Sequence, residues 1–230
     1  PAVATSYSYI GQIYFAQNDY SKALDYFKKS LNLDLSFFGE NHPEVASGYY
    51  NIGYVYFAQG DYSKALEYFE EVLKIRLSVY GENHSRVASV YNDIGEIYSV
   101  QGDDFKALDY FKKSLKIVLS VYGENHSQVS SIYDHIGEIY FAQKDYSKAL
   151  YYFEESLKIR LSLFGENHPE VALSYYSIGS LYIIQGDKSK ALNYYEKSLK
   201  IRLSVYGENH PLTKEIMDLI NVANSKVLQS

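Results

Sequence analysis

Residues 43–84 read PEVASGYYNIGYVYFAQGDYSKALEYFEEVLKIRLSVYGENH, and this stretch decides the fold. From Glu44 to Gln59 the apolar and aromatic residues Val45, Tyr49, Ile52, Tyr56 and Phe57 recur at intervals of three or four, which is one face of a helix. Pro43 suits a first helical turn, with Asn41 or His42 as the cap before it. Gly60-Asp61 interrupts the pattern, and Asp61 is a natural cap for a second helix. Tyr62 to Tyr80 then repeats the helical spacing with Ala65, Leu66, Phe69, Val72, Leu73, Ile75 and Val79. Gly81 ends it as a left-handed glycine just past a helix terminus does. The stretch predicts an antiparallel helix hairpin, with a first helix of about four turns and a second of about five.

The same text recurs through the chain. Gly-Glu-Asn-His begins at Gly39, Gly81, Gly123, Gly165 and Gly207, a fixed period of 42 residues. Periods of this size are the signature of stacked repeats. Pro1-Ala-Val-Ala aligns with Pro43-Glu-Val-Ala, giving repeats at 1–42, 43–84, 85–126, 127–168 and 169–210. Residues 211–230 abandon the pattern and read as a closing helix, with Ile216, Leu219, Ile220 and Ala223 facing inward. Glycine inside a helix costs about 1 kcal/mol relative to alanine, yet Gly53 has counterparts at Gly11, Gly95, Gly137 and Gly179. With Ala65 and its counterparts, it predicts close approach of the two helices, while Tyr56, Phe69 and Leu73 fill the space between hairpins. A lone hairpin cannot bury both faces, so stability must come from stacking.

Composition bounds the rest. Of 230 residues, 47% are hydrophobic, ample for a core and against disorder. The 27 tyrosines and 11 phenylalanines, without tryptophan, fit a few packing positions copied many times. With no cysteine there is no disulfide framework, thiolate metal site or cysteine nucleophile. A net charge of −6 gives no electrostatic footprint for nucleic acid or an anionic membrane. No apolar run approaches the roughly 18 residues of a transmembrane helix, and no basic-then-apolar leader opens the chain. An intracellular, cytoplasmic setting is expected. Because the array opens at the first residue of a repeat without Met, a longer parent protein is expected, with any catalytic domain elsewhere.

Tyr49-x-x-Ile52-Gly53-x-x-Tyr56, followed by Ala65, Phe69 and Val72, resembles the tetratricopeptide repeat. Two departures stand out. Lys74 to His84 extends the second helix beyond the usual 34-residue repeat, and Val72, like Ser30, Ser114, Ser156 and Ser198, stands where the family has alanine. The 42-residue length, with His-Pro-x-Val-Ala opening the first helix, is similar to kinesin light chain repeats. The resemblance implies an all-α, right-handed superhelical solenoid of antiparallel hairpins. Its concave groove would be lined by first helices and would bind a peptide or partner segment, without catalysis or cofactor.

Where near-identical copies disagree, the disagreement is informative. Second helices barely change. First helices diverge at one stripe: Ser8, Tyr9 and Gln12, then Tyr50, Asn51 and Tyr54, then Asn92, Asp93 and Glu96, then Asp134, His135 and Glu138, then Tyr176, Ser177 and Ser180. Drift at unconstrained solvated positions is one reading. Differentiation toward a ligand is the other, favoured because the outward faces of second helices are equally solvated yet constant. Tyr50, Tyr54 and Phe57 form an aromatic patch, and Asp93, Glu96, Asp134 and Glu138 an acidic one. No Lys or Arg stands in the stripe, which disfavours a clamp for acidic termini. The expected ligand is therefore basic, with an aromatic or apolar anchor, and the candidate site adds Asn51, Asn92, His135 and Tyr176 to these patches.

Glu96 and Glu138 could suggest catalytic carboxylates, but a solvated wall supplies no enclosed pocket. His42, His84, His126, His168 and His210 recur too far apart to share a metal, and read as loop residues bonding nearby backbone. The rival to an interaction scaffold is a self-assembling array or spacer with no peptide ligand. Tyr7, Ile10 and Tyr14 on the first helix, lacking a preceding neighbour, predict head-to-tail association through that end.

Overall fold

Helices begin and end where the sequence supplies caps. The computed structural model describes residues 2–225, and the end of the expected closing segment, 226–230, lies outside them. Among the described residues there are eleven helices and no strand: α1 Ala2–Ala16, α2 Tyr20–Phe38, α3 Pro43–Ala58, α4 Tyr62–Tyr80, α5 Ser85–Val100, α6 Asp104–Tyr122, α7 Ser127–Ala142, α8 Tyr146–Phe164, α9 Pro169–Gln185, α10 Lys188–Tyr206 and α11 Pro211–Ser225. His42, His84, His126 and His168 cap α3, α5, α7 and α9, each through Nδ1, which accepts the backbone N–H two residues on at 3.1–3.2 Å. Each imidazole also stacks on the last aromatic of the preceding helix, Phe38, Tyr80, Tyr122 or Phe164, at 4.1–4.5 Å. Asp19, Asp61, Asp145 and Asp187 cap the second helices.

Helices α1–α6 make one compact unit, Pro1–Val121, and α7–α11 a second, Tyr122–Ser230. Within each unit, first helices pack along the second helix of their own hairpin (α1 on α2, α3 on α4, α7 on α8, α9 on α10). Each second helix packs on the next first helix, α2 on α3 and α4 on α5, then α8 on α9 and α10 on α11. In the first unit Ala23, Ile52, Val55, Ala65, Phe69 and Val72 are buried together. In the second, Ala149, Phe153, Ile178, Leu181 and Ala191 are.

The retained glycines have a specific neighbour. A Cβ on Gly11, Gly95, Gly137 or Gly179 would stand 2.7–2.9 Å from the ring of Phe27, Phe111, Phe153 or Tyr195. At Gly53 the nearest atoms would be Tyr68 Cβ at 3.1 Å and the Phe69 ring at 3.3 Å. The close approach is thus of an aromatic ring, one turn beyond the alanine, against the glycine. Serine at the next small position fastens the same joint. Ser30, Ser114 and Ser198 are buried and donate to the carbonyls of Ala4, Ala88 and Ala172 at 2.7–2.8 Å.

The ends differ. In α11 Ile216 and Ala223 are buried, and Leu219 and Ile220 are half-buried. In α1 Val3 is 59% and Ile13 57% exposed. Their counterparts Val45, Val87, Val129 and Val171, and Val55, Ile97, Ile139 and Leu181, are buried. Tyr7 and Tyr14, expected on the uncovered patch, instead pack on Tyr26 at 5.9 and 5.5 Å.

Candidate functional site

The divergent stripe lies on consecutive first helices, and its members differ greatly in exposure. In the first unit Tyr54 is 43% exposed. Its ring meets Phe15 of α1 at 5.6 Å, Phe57 at 6.1 Å and Tyr50 at 6.2 Å, so an aromatic cluster bridges α1 and α3. Asn51 is half-buried and donates to Ser8 Oγ at 3.4 Å. Tyr50 is not a solvated residue. It is half-buried, tilted against Phe69 at 5.5 Å, with the Arg76 guanidinium 5.2 Å from its centroid.

Asp93 on α5 stands beside Tyr50, whose hydroxyl it accepts. Burial, then the charge of Glu96, pushes its carboxyl up to about 7, against the opposing Tyr50 hydrogen bond and Arg76 charge. Its Oδ2 is buried with no hydrogen-bond partner. Asn92 donates to Glu96 Oε1 at 2.6 Å.

In the second unit Asp134 is drawn inward. The Arg160 guanidinium, 5% exposed, lies 2.6 Å from Asp134 Oδ2 and 3.1 Å from Glu170 Oε2, and donates to Ser174 Oγ at 2.8 Å. Burial lifts the Asp134 carboxyl above its ordinary value while Arg160 opposes the shift. His135 is half-buried, and Glu138 is exposed. Tyr176 is half-buried, lies over Arg202 at 5.0 Å and donates to Glu215 Oε1 of α11 at 3.1 Å.

The structure thus gathers the aromatic residues as one cluster but splits the four carboxylates by environment. Asp93 and Asp134 are largely internal, and Glu96 and Glu138 are the more accessible pair. What the stripe alone could not reveal is a second-helix register directed at it from beneath, occupied by Asp34, Arg76, Val118, Arg160 and Arg202. Three of these are arginines that join neighbouring first helices: Arg76 donates to the Arg86 carbonyl at 2.8 Å, Arg202 to the Leu212 carbonyl at 2.6 Å, and Arg160 as above. The signal was in the sequence. Along otherwise constant second helices this register alternates between acid, base and aliphatic.

Among the described residues no group of three or more metal-ligating side chains is close enough to hold an ion, and no helix is long and apolar enough to cross a membrane. No curated protein sequence matches the chain. BtubC (BKLC) from P. vanneervenii superposes with a TM-score of 0.79 at 24% identity, covering 91% of this chain and 83% of that one. The nearly identical TPR-like repeats of a kinesin light chain type protein from Podosopora anserina give 0.73 at 16% identity, covering 88% and 96%. The apo form of RapI gives 0.73 at 21%, covering 86% and 70%. These likenesses show a tetratricopeptide solenoid fold. The tetratricopeptide repeat family model matches at residues 2–78, 44–120, 86–162 and 128–204, and with that nearly continuous match the chain belongs to the tetratricopeptide repeat family of interaction scaffolds.

Proposed function

We propose that the wall of first helices docks a segment of a partner protein, basic in character and carrying an aromatic or apolar anchor. The observation that carries this is the cluster of Phe15, Tyr50, Tyr54 and Phe57, open to solvent at Tyr54 on a wall that also presents Glu96. Rigid aromatic rings anchor binding at small entropic expense, and carboxylates beside them select for a cation. The reading assigns no reaction to this chain, which acts by holding its partner, and a cytoplasmic setting suits its cysteine-free composition. Peptide-display selection against the protein is the test. Enriched sequences should pair a basic residue with an aromatic or large aliphatic one. Tyr54→Ala should weaken them at least about tenfold while leaving the protein folded. Selected peptides indifferent to Tyr54 would refute the anchor.

A further inference from the structure

The arginine register has one acidic member, and a cavity stands beside it. Between α1, α2 and α3 lies a space of about 160 Å³ lined by Ser8, Gln12, Asp34, Glu44, Ser47 and Asn51 among others, none of the lining residues basic. Asp34 is 8% exposed. The neighbouring Ser30 hydroxyl is directed to the Ala4 carbonyl. Burial, then the charge of Glu44, holds the Asp34 carboxyl above the usual carboxylate range, against the opposing charge of His42 and a hydrogen bond from the Ser30 hydroxyl. A buried acid held by no ion pair is unfavourable, and Asp34 has only the more distant charge of His42 to offset Glu44.

The molecule supplies one by internal comparison. Three repeats further on, the positions of Ser8, Asp34, Glu44 and Gly48 are held by Asp134, Arg160, Glu170 and Ser174. There the chain's own guanidinium fills the joint, bonded to all three neighbours. In the first repeat Glu44 is retained, the arginine is replaced by a second acid, and Gly48 takes the place of Ser174. Ser8 stands in place of Asp134, so the result is a guanidinium site without its guanidinium that still holds two carboxylates, Asp34 and Glu44. Guanidinium pairs with carboxylates through fixed, directional donors, which a compact ammonium does not reproduce.

We infer that this cavity receives the guanidinium of an arginine side chain presented by the partner segment. The inference deepens the docking reading and rests on it, fixing the basic group as arginine and its seat as Asp34 and Glu44. The occupant completes in trans the joint that Arg160 completes in cis.

The test uses blocked N-acetyl-arginine amide, its citrulline and lysine counterparts and free arginine, titrated against the protein by calorimetry and by NMR of the Asn51 and Gln12 side-chain amides. The arginine amide should bind saturably at one site and shift both amides. Citrulline should bind at least about tenfold more weakly, and Asp34→Asn should produce a loss of similar size. The variant Asp34→Arg should fill the site with its own guanidinium and exclude the probe. Binding of the arginine amide unchanged in Asp34→Asn, or matched by citrulline, overturns the inference. Tighter binding of free arginine than of the amide overturns a side-chain source. Tyr54→Ala separates the two readings, since it should spare the arginine amide while weakening selected peptides. Peptides that need Tyr54 but ignore Asp34→Asn would sink this inference and leave the docking reading standing.

Discussion

Asp93 and Lys144 show how a single position carries a measurable strain. Asp93 has a folded-state carboxyl near 7, against an ordinary value near 4. The folded protein therefore holds a proton that the unfolded chain has released, and stability should fall as pH rises from about 4 to about 7, then level off. Asp93→Asn should flatten that slope and raise stability at pH 8 by on the order of 2–4 kcal/mol, read from denaturant unfolding at a series of pH values. An unchanged slope would assign it to other groups. Lys144 has φ +62°, a left-handed conformation held by glycine at the counterparts Gly60, Gly102 and Gly186. Lys144→Gly should stabilise by about 1 kcal/mol, whereas Gly102→Lys should do the reverse. Tyr50 illustrates what the sequence could not convey. Its place in the divergent stripe says nothing of what lies beneath it, but its contacts with Phe69 and Arg76 put the loss for Tyr50→Ala at about 1–3 kcal/mol.

At the scale of helices, the sequence was close to sufficient. Period, cap and terminating glycine each named the same boundaries, and α3 and α4 begin and end within a residue or so of their expected limits. Caps and periodicities are local, so a linear reading captures them. Contacts between helices are not local, and this is why the arginine joints were missed. Phe69, 1% exposed and lying over Gly53, should lose roughly 3–5 kcal/mol on replacement by alanine. Arg160→Ala should be comparably severe, about 3–5 kcal/mol, because Asp134 is left buried and unpaired. Arg160→Met combined with Asp134→Asn should recover much of that loss. If the double variant is as unstable as the single one, the ion pair is not what the joint depends on. His84→Ala, removing one cap and its stacking on Tyr80, should lose about 1 kcal/mol.

Across the whole chain, the repeat count and the family were readable because the copies are near duplicates. The uncovered end was read only in part. Tyr7, Ile10 and Tyr14, expected on an exposed apolar patch, are all half-buried, the two tyrosines packed on Tyr26 of α2, and the exposed apolar residues of α1 are instead Val3 and Ile13. We expect this chain to associate through α1 as its concentration rises. A copy of residues 43–84 fused before residue 1 should suppress that association and raise the unfolding midpoint, by covering Val3 and Ile13. Sedimentation across a concentration series decides the matter, and a strictly monomeric parent chain would refute it.

The serine-to-carbonyl fastening at Ser30, Ser114 and Ser198 is nearly the same joint written three times. To a folding chain, then, many wrong partners look almost right: the second helix of one copy could seat on the first helix of another with its aromatic ring, alanine and serine all satisfied. Sequences with such degenerate pairings are prone to misassembly. What distinguishes one seat from another is the register of Asp34, Arg76, Val118, Arg160 and Arg202, where a mismatch buries an unpaired charge. These side chains act as addresses. Erasing them, by giving the other four the valine already present at 118, should leave a chain that still forms helices but refolds slowly, through misaligned states.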